Sequence, residues 1–449
     1  MHYRRKPAAH HQAAFVLQKC AVPAKIESVM VETTPEKSTS ELAEFDHRRL
    51  GAELDLFTFS DLVGSGLPLW LPKGATVRRI LERFITDTEI AWGYAHVYTP
   101  DIAKLDLYKT SGHYPYYKDS MYAPIIIDEH EFMLRPMTCP HHFQLYADRP
   151  RSYRELPMRI AELAKLYRYE GSGELSGLVR VRSFCLADAH IICTDQAQAA
   201  SEVDKALDLI EHIASVFGLK LGENYSYRLS LGDRTDDQKY YKNDAAWDDG
   251  EAMLREVLTK RGGSFVEAAG EAAFYGPKID IQMVDARGKE NTAFTVQYDF
   301  CMPDRFNLTY IASDGTEQRP VVVHRSSIGA IERVMAFLIE HYRGAFPLWL
   351  APVQVKVLPI GEKHFDYATQ IVTELQQAGL RAELDHSDES LGKKVRNAKV
   401  EKVPYLVVIG EQEVTASTLS VEHRTEGKIG ALTLLDFLGR LQTEVAEKK

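Results

Sequence analysis

The stretch YRYEGSGELSGLVRVRSF, which spans residues 167–184, decides how the chain around it is expected to fold. Its two halves, joined by a glycine-bearing loop, predict neighbouring strands that carry Arg168 and Arg180 on one sheet face. Arginines on a rigid sheet suit a bidentate grip on phosphate, and Phe184 can stack on a planar base. A salt-bridged sheet surface accounts for the same spacing, so the spacing alone leaves both interpretations open.

Further residues with distinctive chemistry lie on both sides of this stretch. Residues 133–142, MLRPMTCPHH, combine a proline-braced turn with one thiol and two imidazoles. Cys139, His190 and His324 are a possible metal-binding set, but they lie far apart in sequence, and a lone Cys or His is more often a core residue. The spacing therefore permits a metal site without establishing one. The sequence contains no GxxxxGK[ST] phosphate loop and no GxGxxG fingerprint.

Residues 46–345 are predicted to form an α+β domain with a largely antiparallel sheet, because strand-like runs outnumber the helices between them. Apolar residues three and four positions apart predict a helix that includes Val77 and Ile85, and a second helix runs from about Gln196 to Phe217. The strand-like runs cover residues 123–127, 180–185, 188–193, 278–284, 293–300 and 320–324.

Beyond a proline-bracketed connector at 346–352, residues 351–449 are predicted to form a smaller α/β domain. A helix expected at 391–401 would present a local phosphate-binding face. Residues 1–45 are predicted to be a flexible N-terminal extension. The basic residues near that helix are Lys393, Lys394, Arg396, Lys399 and Lys402.

The composition narrows the class of protein. The 449 residues carry a formal net charge of −10, which excludes a general nucleic-acid coat and requires any RNA contact to use a local basic patch. No run of about 18 apolar residues occurs, so no membrane span is expected. The five cysteines are an odd number without a CxxC pair, which predicts free thiols, a reducing compartment and a cytoplasmic location.

Several blocks of the sequence, taken in order along the chain, resemble the class II aminoacyl-tRNA synthetases, and most closely the threonyl-tRNA synthetase family. The resemblance covers about residues 46–449, and so many blocks in one order make it specific. The matching blocks are residues 76–100 (motif 1), 137–140 (cysteine turn), 167–184 (motif 2), 188–191 (histidine strand), 273–278, 295–300, 323–325 with 329–333 (motif 3), and 351–449 (anticodon-binding domain).

The resemblance implies a fold and an activity. The expected catalytic domain has a six- or seven-stranded antiparallel sheet flanked by helices, is followed by the smaller α/β anticodon-binding domain, and forms a homodimer through motif 1. The expected activity is that of a threonine–tRNA ligase, in which threonine and ATP give threonyl-adenylate and the threonyl group then passes to tRNA(Thr). Nothing before Asp46 resembles the family's N-terminal editing region, so we expect the form without that region.

The resemblance also implies roles for individual residues. Arg168 and Arg333 would be catalytic, because fixed guanidinium groups stabilise the charge that gathers on the phosphates. Mg²⁺ would accompany ATP, and one Zn²⁺ per chain would select threonine by its amino and hydroxyl groups. The implied ATP-binding residues are Arg168, Glu170, Arg180, Phe184, Gln297 and Arg333; the implied substrate-binding residues are Met137, Asp188, Tyr275 and Lys278; the implied zinc ligands are Cys139, His190 and His324.

Several positions depart from the family's usual residues. Leu186 stands where a glutamine is usual, Thr292 where a glutamine is common, and Ala330 where a serine is common. Glu422, in the C-terminal domain, is acidic where the family usually carries a base. Two alternatives therefore stay open. One is a relative that activates another amino acid, such as proline or serine, and the other is a non-enzymatic paralogue that binds tRNA or acts as a regulator.

Overall fold

The computed structural model describes residues 44–262, 264–285 and 288–449. Nearly all of the predicted N-terminal extension, residues 1–45, lies outside the described residues, so its flexibility stays a prediction. The described helices are α1 (His47–Glu53), α2 (Pro72–Ala91), α3 (Leu105–Ser111), α4 (His113–Tyr116), α5 (Cys139–Tyr146), α6 (Gln196–Val216), α7 (Asp244–Lys260), α8 (Met302–Arg305), α9 (Ile331–His341), α10 (Phe365–Gln377), α11 (Leu391–Val400), α12 (Glu411–Ala416) and α13 (Leu434–Ala446). None of these helices is long and apolar enough to cross a membrane.

The strands are short at the periphery and long in the centre of the main sheet. They are β1 (Phe57–Thr58), β2 (Leu69–Trp70), β3 (Ala95–His96), β4 (Ile102–Lys104), β5 (Ile125–Ile127), β6 (His130–Leu134), β7 (Met158–Tyr167), β8 (Ser183–Cys193), β9 (Tyr225–Leu231), β10 (Phe265–Ala269), β11 (Lys278–Val284), β12 (Glu290–Asp299), β13 (Tyr310–Ile311), β14 (Glu317–Gln318), β15 (Val321–Ala330), β16 (Val355–Pro359), β17 (Ala382–Leu384), β18 (Tyr405–Ile409), β19 (Leu419–His423) and β20 (Gly427–Leu432).

The main sheet has the strand order β10-β9-β11-β12-β15-β8-β7-β3. Its six inner strands, from β9 to β7, pair antiparallel, as the resemblance implied, whereas the two edge strands β10 and β3 pair parallel with their neighbours. Helices α2, α6 and α9 pack against one face and form the largest apolar core. The α+β class with helices flanking a largely antiparallel sheet is therefore confirmed.

The chain between β7 and β8 differs from the expectation. The two runs predicted at 180–185 and 188–193 join into the single strand β8, and this strand begins only at Ser183. Residues 176–180 instead form a tight turn in which Gly177 has a φ of 50°, and a Cβ there would meet His47 at 2.3 Å. The prediction that Arg168 and Arg180 share one sheet face is therefore wrong, because both lie outside the strands.

The C-terminal part has its own mixed sheet with the strand order β17-β16-β18-β19-β20. The strands β17, β16 and β18 are parallel, while β19 and β20 are antiparallel. Helices α10 and α13 pack on one face and α11 on the other. The alternation of strands and helices from β16 to β18 was predicted from the sequence. The elements from α12 to β20 were not predicted separately.

The predicted connector at 346–352 is packed rather than exposed. Phe346, Leu348 and Trp349 are all at least 95% buried. Arg381 donates hydrogen bonds to the carbonyl groups of Leu348, Trp349 and Ala351, so the connector's backbone is held by the C-terminal sheet. The two sheets are therefore joined by a buried segment with satisfied carbonyl groups.

Two ion pairs fasten helix α2 to its neighbours, one to strand β15 through Arg325 and one to helix α9 through Glu332. Arg78 and Glu89 are eleven residues apart in the sequence, which is about three helical turns and puts them on the same face of α2. Arg78 pairs with Glu332 at 2.5 Å, and Glu89 pairs with Arg325 and accepts a 2.6 Å hydrogen bond from Ser327. Arg325 and Glu89 are essentially fully buried, so each charge depends on its partner.

Replacing Glu89 with alanine is expected to lower the free energy of unfolding by about 3–5 kcal/mol, because Arg325 would stay buried without its partner. Asp87→Ala, on the same helix, is the matched control. Asp87 pairs with Arg83 at the surface, and its loss should change stability by only about 0–1 kcal/mol. Urea-induced unfolding followed by circular dichroism measures both variants. Equal losses would contradict the importance assigned to the buried pair.

Candidate active site

Every catalytic, ATP-binding, substrate-binding and zinc-binding residue implied by the resemblance lines one cavity of about 640 Å³ on the sheet face opposite the main core. The cavity lies over β8, β11, β12 and β15 and is closed at its sides by loops. The structure thus brings together residues that are far apart in sequence. These residues are Met137, Cys139, Arg168, Glu170, Arg180, Phe184, Asp188, His190, Tyr275, Lys278, Gln297, His324 and Arg333.

Strand β8 sets the order of the groups along the cavity. Its side chains alternate between the two sheet faces, so Phe184, Leu186, Asp188 and His190 line the cavity while the residues between them enter the core. The cavity therefore has an arginine-rich end near Phe184 and a cysteine–histidine end near His190.

Three arginines meet at the first end. Arg168 follows β7 directly, its Nε donates to the carbonyl of Pro136 at 3.3 Å, and its guanidinium carbon lies 5.1 Å from the centre of the Phe184 ring. Arg333, in the first turn of α9, donates to the carbonyl groups of Val179 and Thr292. These backbone acceptors orient the two guanidinium groups without neutralising them.

The electrostatics at this end favour an anion. Burial, together with the charges of Arg168 and Arg180, lowers the pKa of Arg333 to about 10. Arg180 is exposed, and its Nε lies 3.5 Å from a carboxylate oxygen of Glu170. A polyphosphate would relieve the repulsion among the three arginines, because each guanidinium can bind phosphate oxygens in a bidentate manner.

Cys139, His190 and His324 meet at the other end. Their ligand atoms lie within 4.8 Å of one another, and all three residues are buried. Cys139 is the first residue of α5, and the two histidines are directly opposite each other on β8 and β15. A thiolate with two imidazoles suits Zn²⁺ and leaves room for a further ligand, so these residues fit the implied metal.

Each of the two histidines has one ring nitrogen bound to a buried partner. His190 Nδ1 lies 2.7 Å from His142 Nδ1, and His324 Nε2 lies 2.7 Å from Asp299 Oδ2. Burial and the neighbouring imidazole of His324 lower the pKa of His190 well below its usual value. Burial and the charge of Asp188 raise the pKa of the Cys139 thiol, so a bound cation is what would favour its thiolate.

The residues implied to bind the substrate lie around the cysteine–histidine end. Asp188 accepts a hydrogen bond from the Thr138 hydroxyl, and burial raises the pKa of its carboxyl. The ring of Tyr275 stacks on His324 with centroids 4.8 Å apart, and its hydroxyl donates to Gln297. Gln297, implied to bind ATP, thus has its contacts at this end, and its role stays a prediction.

Met137 and Lys278 complete the implied substrate set. Met137 packs beside the core cluster that contains Cys139. Lys278 Nζ lies 3.0 Å from a carboxylate oxygen of the buried Asp280. Asp280 therefore limits how far the ammonium group of Lys278 extends into the cavity.

Three of the four departures from the family's usual residues, Leu186, Thr292 and Ala330, lie in the same cavity. Leu186 joins an apolar cluster with Phe184 and Ala330, and it faces Ala330 across the strands. The Thr292 hydroxyl accepts a 2.8 Å hydrogen bond from Gln282. The middle of the cavity is consequently apolar on its β8 side.

His113 was not found from the sequence. Its ring is fully enclosed in the cavity wall, with Nε2 3.9 Å from Cys139 Sγ and Nδ1 2.8 Å from Ser111 Oγ. Burial lowers its pKa to about 3. No recognisable motif surrounds His113, so only the fold brings it to the site.

The basic residues near α11 form a narrower surface than expected. Lys394 is buried and donates to the carbonyl of Pro359, and Lys402 lies beyond the end of the helix. Lys399 pairs with Glu422 at 2.7 Å, so the acidic residue noted in the sequence neutralises part of the basic face. The prediction of one continuous phosphate-binding face is wrong for Lys394.

Comparison with known families matches both parts of the chain. Residues 122–342 match the family described as tRNA synthetase class II core domain (G, H, P, S and T), and residues 354–444 match the family described as anticodon binding domain.

Curated relatives and solved structures give closer matches. The threonine–tRNA ligase of Geobacillus kaustophilus is 50% identical over 410 residues, which are 91% of this chain and 62% of that protein. The threonine–tRNA ligase of Staphylococcus carnosus is 48% identical, over 92% of this chain and 64% of that protein. The chain thus spans less than two thirds of either relative. A crystal structure described as the RNA binding domain of threonyl-tRNA synthetase from Cryptosporidium parvum Iowa II superposes with a TM-score of 0.83 at 37% identity, covering 89% of this chain and 98% of that one.

Inorganic triphosphate is expected to raise the melting temperature of the wild-type protein, because it relieves the repulsion among the arginines at the first end of the cavity. The Arg333→Gln variant should lose most of this protection. The control is Arg319→Gln, since Arg319 pairs with Asp304 and does not line the cavity. Differential scanning fluorimetry measures the shift. Equal protection of both variants would mean that the anion binds elsewhere.

Proposed function

Because this chain belongs to the threonyl-tRNA synthetase family, we propose that it is a threonine–tRNA ligase. It activates threonine with ATP to threonyl-adenylate and transfers the threonyl group to tRNA(Thr). The observation that carries the proposal is the joining of two chemically different ends in one cavity. One end holds three arginines whose charges repel one another, and the other holds a thiol and two imidazoles.

The arginine end suits the adenylation step. A carboxylate oxygen of threonine forms a bond to the α-phosphorus of ATP, the bond from that phosphorus to the bridging oxygen breaks, and pyrophosphate leaves. Arg168 stabilises the charge that develops on the α-phosphate, since its guanidinium is already oriented by the carbonyl of Pro136. Arg180 and Arg333 hold the β- and γ-phosphates, and ATP enters as its Mg²⁺ complex.

The residues beside the arginines bind the nucleoside. Phe184 stacks on the adenine ring, and Glu170 accepts a hydrogen bond from the adenine amino group. Phe184 is 8% exposed and forms part of an apolar cluster, which suits a stacking surface. In the second step, a terminal ribose hydroxyl of the tRNA attacks the threonyl carbonyl, and AMP leaves.

The other end selects the amino acid. Cys139, His190 and His324 would hold one Zn²⁺, which would supply a Lewis-acidic centre for the amino and hydroxyl groups of threonine. Asp188 accepts the hydrogen bond of the threonine hydroxyl, and Tyr275 keeps the ring of His324 in place by stacking. Met137 and Lys278 line the same part of the cavity and bind the rest of the substrate.

The assembly and location are further parts of the proposal. Residues 351–449 bind the anticodon region of tRNA(Thr), in line with the family match of residues 354–444. The protein is a homodimer formed through the motif 1 region, where the Tyr98 side chain is 93% exposed and the Ile90 side chain is 53% exposed. It works in the cytoplasm without a membrane partner, and the four described cysteines are free thiols, as a reducing compartment requires.

Arg168→Ala is expected to abolish threonine-dependent exchange of pyrophosphate into ATP while leaving the circular dichroism spectrum unchanged. Loss of such a group costs roughly 10²–10³ in rate or more. Lysine should rescue poorly because it lacks the bidentate fork. Arg154→Ala is the control, because Arg154 is exposed and lies outside the cavity. Wild-type exchange by Arg168→Ala would remove that residue from catalysis, and no exchange by the wild type would favour the non-enzymatic alternative.

Exchange measured across the amino acids should rank threonine first, serine second and valine last. Serine keeps both ligand atoms and lacks one methyl group, which is worth about 10–200-fold. Valine lacks the hydroxyl and leaves polar groups of the site unpaired, so its rejection should reach roughly 10⁴–10⁵. Preferred activation of serine or proline would assign the chain to another substrate.

A further inference from the structure

A buried polar chain runs behind the cysteine–histidine end of the cavity. It starts at His190, continues through His142 and ends at Glu162. The two imidazole rings stand edge to face with centroids 4.8 Å apart, and all three residues are at most 1% exposed. Polar groups this deeply buried are held in a single arrangement, because an unmade hydrogen bond there would be costly.

The Glu162 carboxylate anchors the chain. It accepts hydrogen bonds from the backbone N–H and the hydroxyl of Thr99 and from Arg135 Nη1, and one of its oxygens lies 3.3 Å from His142 Nε2. Although burial raises it, hydrogen bonds from His142 and Thr99 bring the pKa of Glu162 down to about 2. An ionised carboxylate only accepts hydrogen bonds, so His142 Nε2 carries a proton.

The proton on His142 Nε2 determines which ring nitrogen of His190 carries a proton. A neutral imidazole with a proton on Nε2 presents a lone pair on Nδ1. His142 Nδ1 therefore accepts, and His190 Nδ1 donates across the 2.7 Å contact. His190 Nε2 is then unprotonated, which is the state that a metal ligand requires.

The tautomer of His324 is fixed in the same way, but here Nε2 and not Nδ1 contacts the buried partner. Asp299 Oδ1 accepts the backbone N–H groups of Cys301 and Met302, which fixes the carboxylate. Its Oδ2 accepts from His324 Nε2, so His324 Nδ1 carries the lone pair. The two histidines thus offer different nitrogens, Nε2 from His190 and Nδ1 from His324.

We propose that His142, anchored by Glu162, is a positioning residue that fixes the tautomer and the orientation of His190 for metal binding. The inference rests on the proposed function, since it takes the metal to be Zn²⁺. It adds a residue that makes no contact with the substrate and acts only through His190. Outer partners of this kind typically change metal affinity by about 10–100-fold when they are removed.

Two substitutions of His142 separate its acceptor role from its size and polarity. The side-chain oxygen of His142→Asn occupies a place near Nδ1 and keeps an acceptor for His190. In His142→Gln the polar end lies on the Nε2 side, towards Glu162, so His190 loses its acceptor. His141→Asn is the matched control. His141 is the neighbouring buried histidine, and its ring nitrogens have no hydrogen-bond partner among the described residues.

The experiment measures zinc in the full chain. Zinc per chain is determined by mass spectrometry, and its transfer to a chromogenic chelator gives the relative affinity. We expect His142→Gln to bind zinc about 10–100-fold more weakly, while His142→Asn and His141→Asn stay close to the wild type. The ligand-field spectrum after substitution with Co²⁺ should change only in His142→Gln. The KM for threonine should rise in this variant, with little change in the KM for ATP.

The outcomes distinguish the inference from the function it rests on. A wild-type protein that binds no zinc overturns both the zinc proposal and the positioning role. A wild type that binds one zinc, with unchanged affinity in His142→Gln, overturns the positioning role alone. Equal weakening by the Asn and Gln variants overturns it as well, because the acceptor on the Nδ1 side would then be irrelevant.

Discussion

The geometry of the cavity depends on the two ion pairs that hold α2 against strand β15 and against helix α9. Arg325 is the direct neighbour of His324, and Glu332 is the direct neighbour of Arg333. One helix is thus tied next to both ends of the cavity. Separating opposite charges in a protein interior of low dielectric constant costs much free energy. Each pair therefore keeps its two side chains in one relative position. The pairs therefore fix where the metal-binding strand and the arginine-bearing helix stand relative to each other.

Strand β8 places the arginine-rich end and the cysteine–histidine end of the cavity at a fixed distance from each other. Phe184 and His190 are six residues apart, a distance on the order of 20 Å along a strand. The cationic groups and the metal-binding groups are consequently separated and do not neutralise one another. At the arginine end, backbone carbonyl groups hold guanidinium groups that repel each other. Such a site is organised before the anion arrives, which is the condition for electrostatic stabilisation of a transition state.

The fold class was predicted correctly, and the residues named from the resemblance line one cavity, because motif order carries long-range information that periodicity lacks. Periodicity alone misplaced Arg180, since the turn at Gly177 packs against His47, far away in sequence, which accepts a hydrogen bond from the N–H of Leu178. His113 and Glu162 escaped notice for the same reason: neither stands in a motif, and only the folded sheet brings them near the metal-binding residues. Lys394 shows the converse, a basic residue whose helix turns it inward.

The buried segment at 346–352 restricts how this architecture can vary in length. Phe346 and Trp349 fill the main core, whereas Leu348, between them, fills the core of the C-terminal sheet. Adding or deleting one residue would push at least one of these side chains into water and pull carbonyl groups away from Arg381. Insertions and deletions should therefore be confined to surface turns, such as the exposed turn between β13 and β14. The distance from the cavity to the far end of the C-terminal sheet should then stay constant among related proteins whose other residues differ.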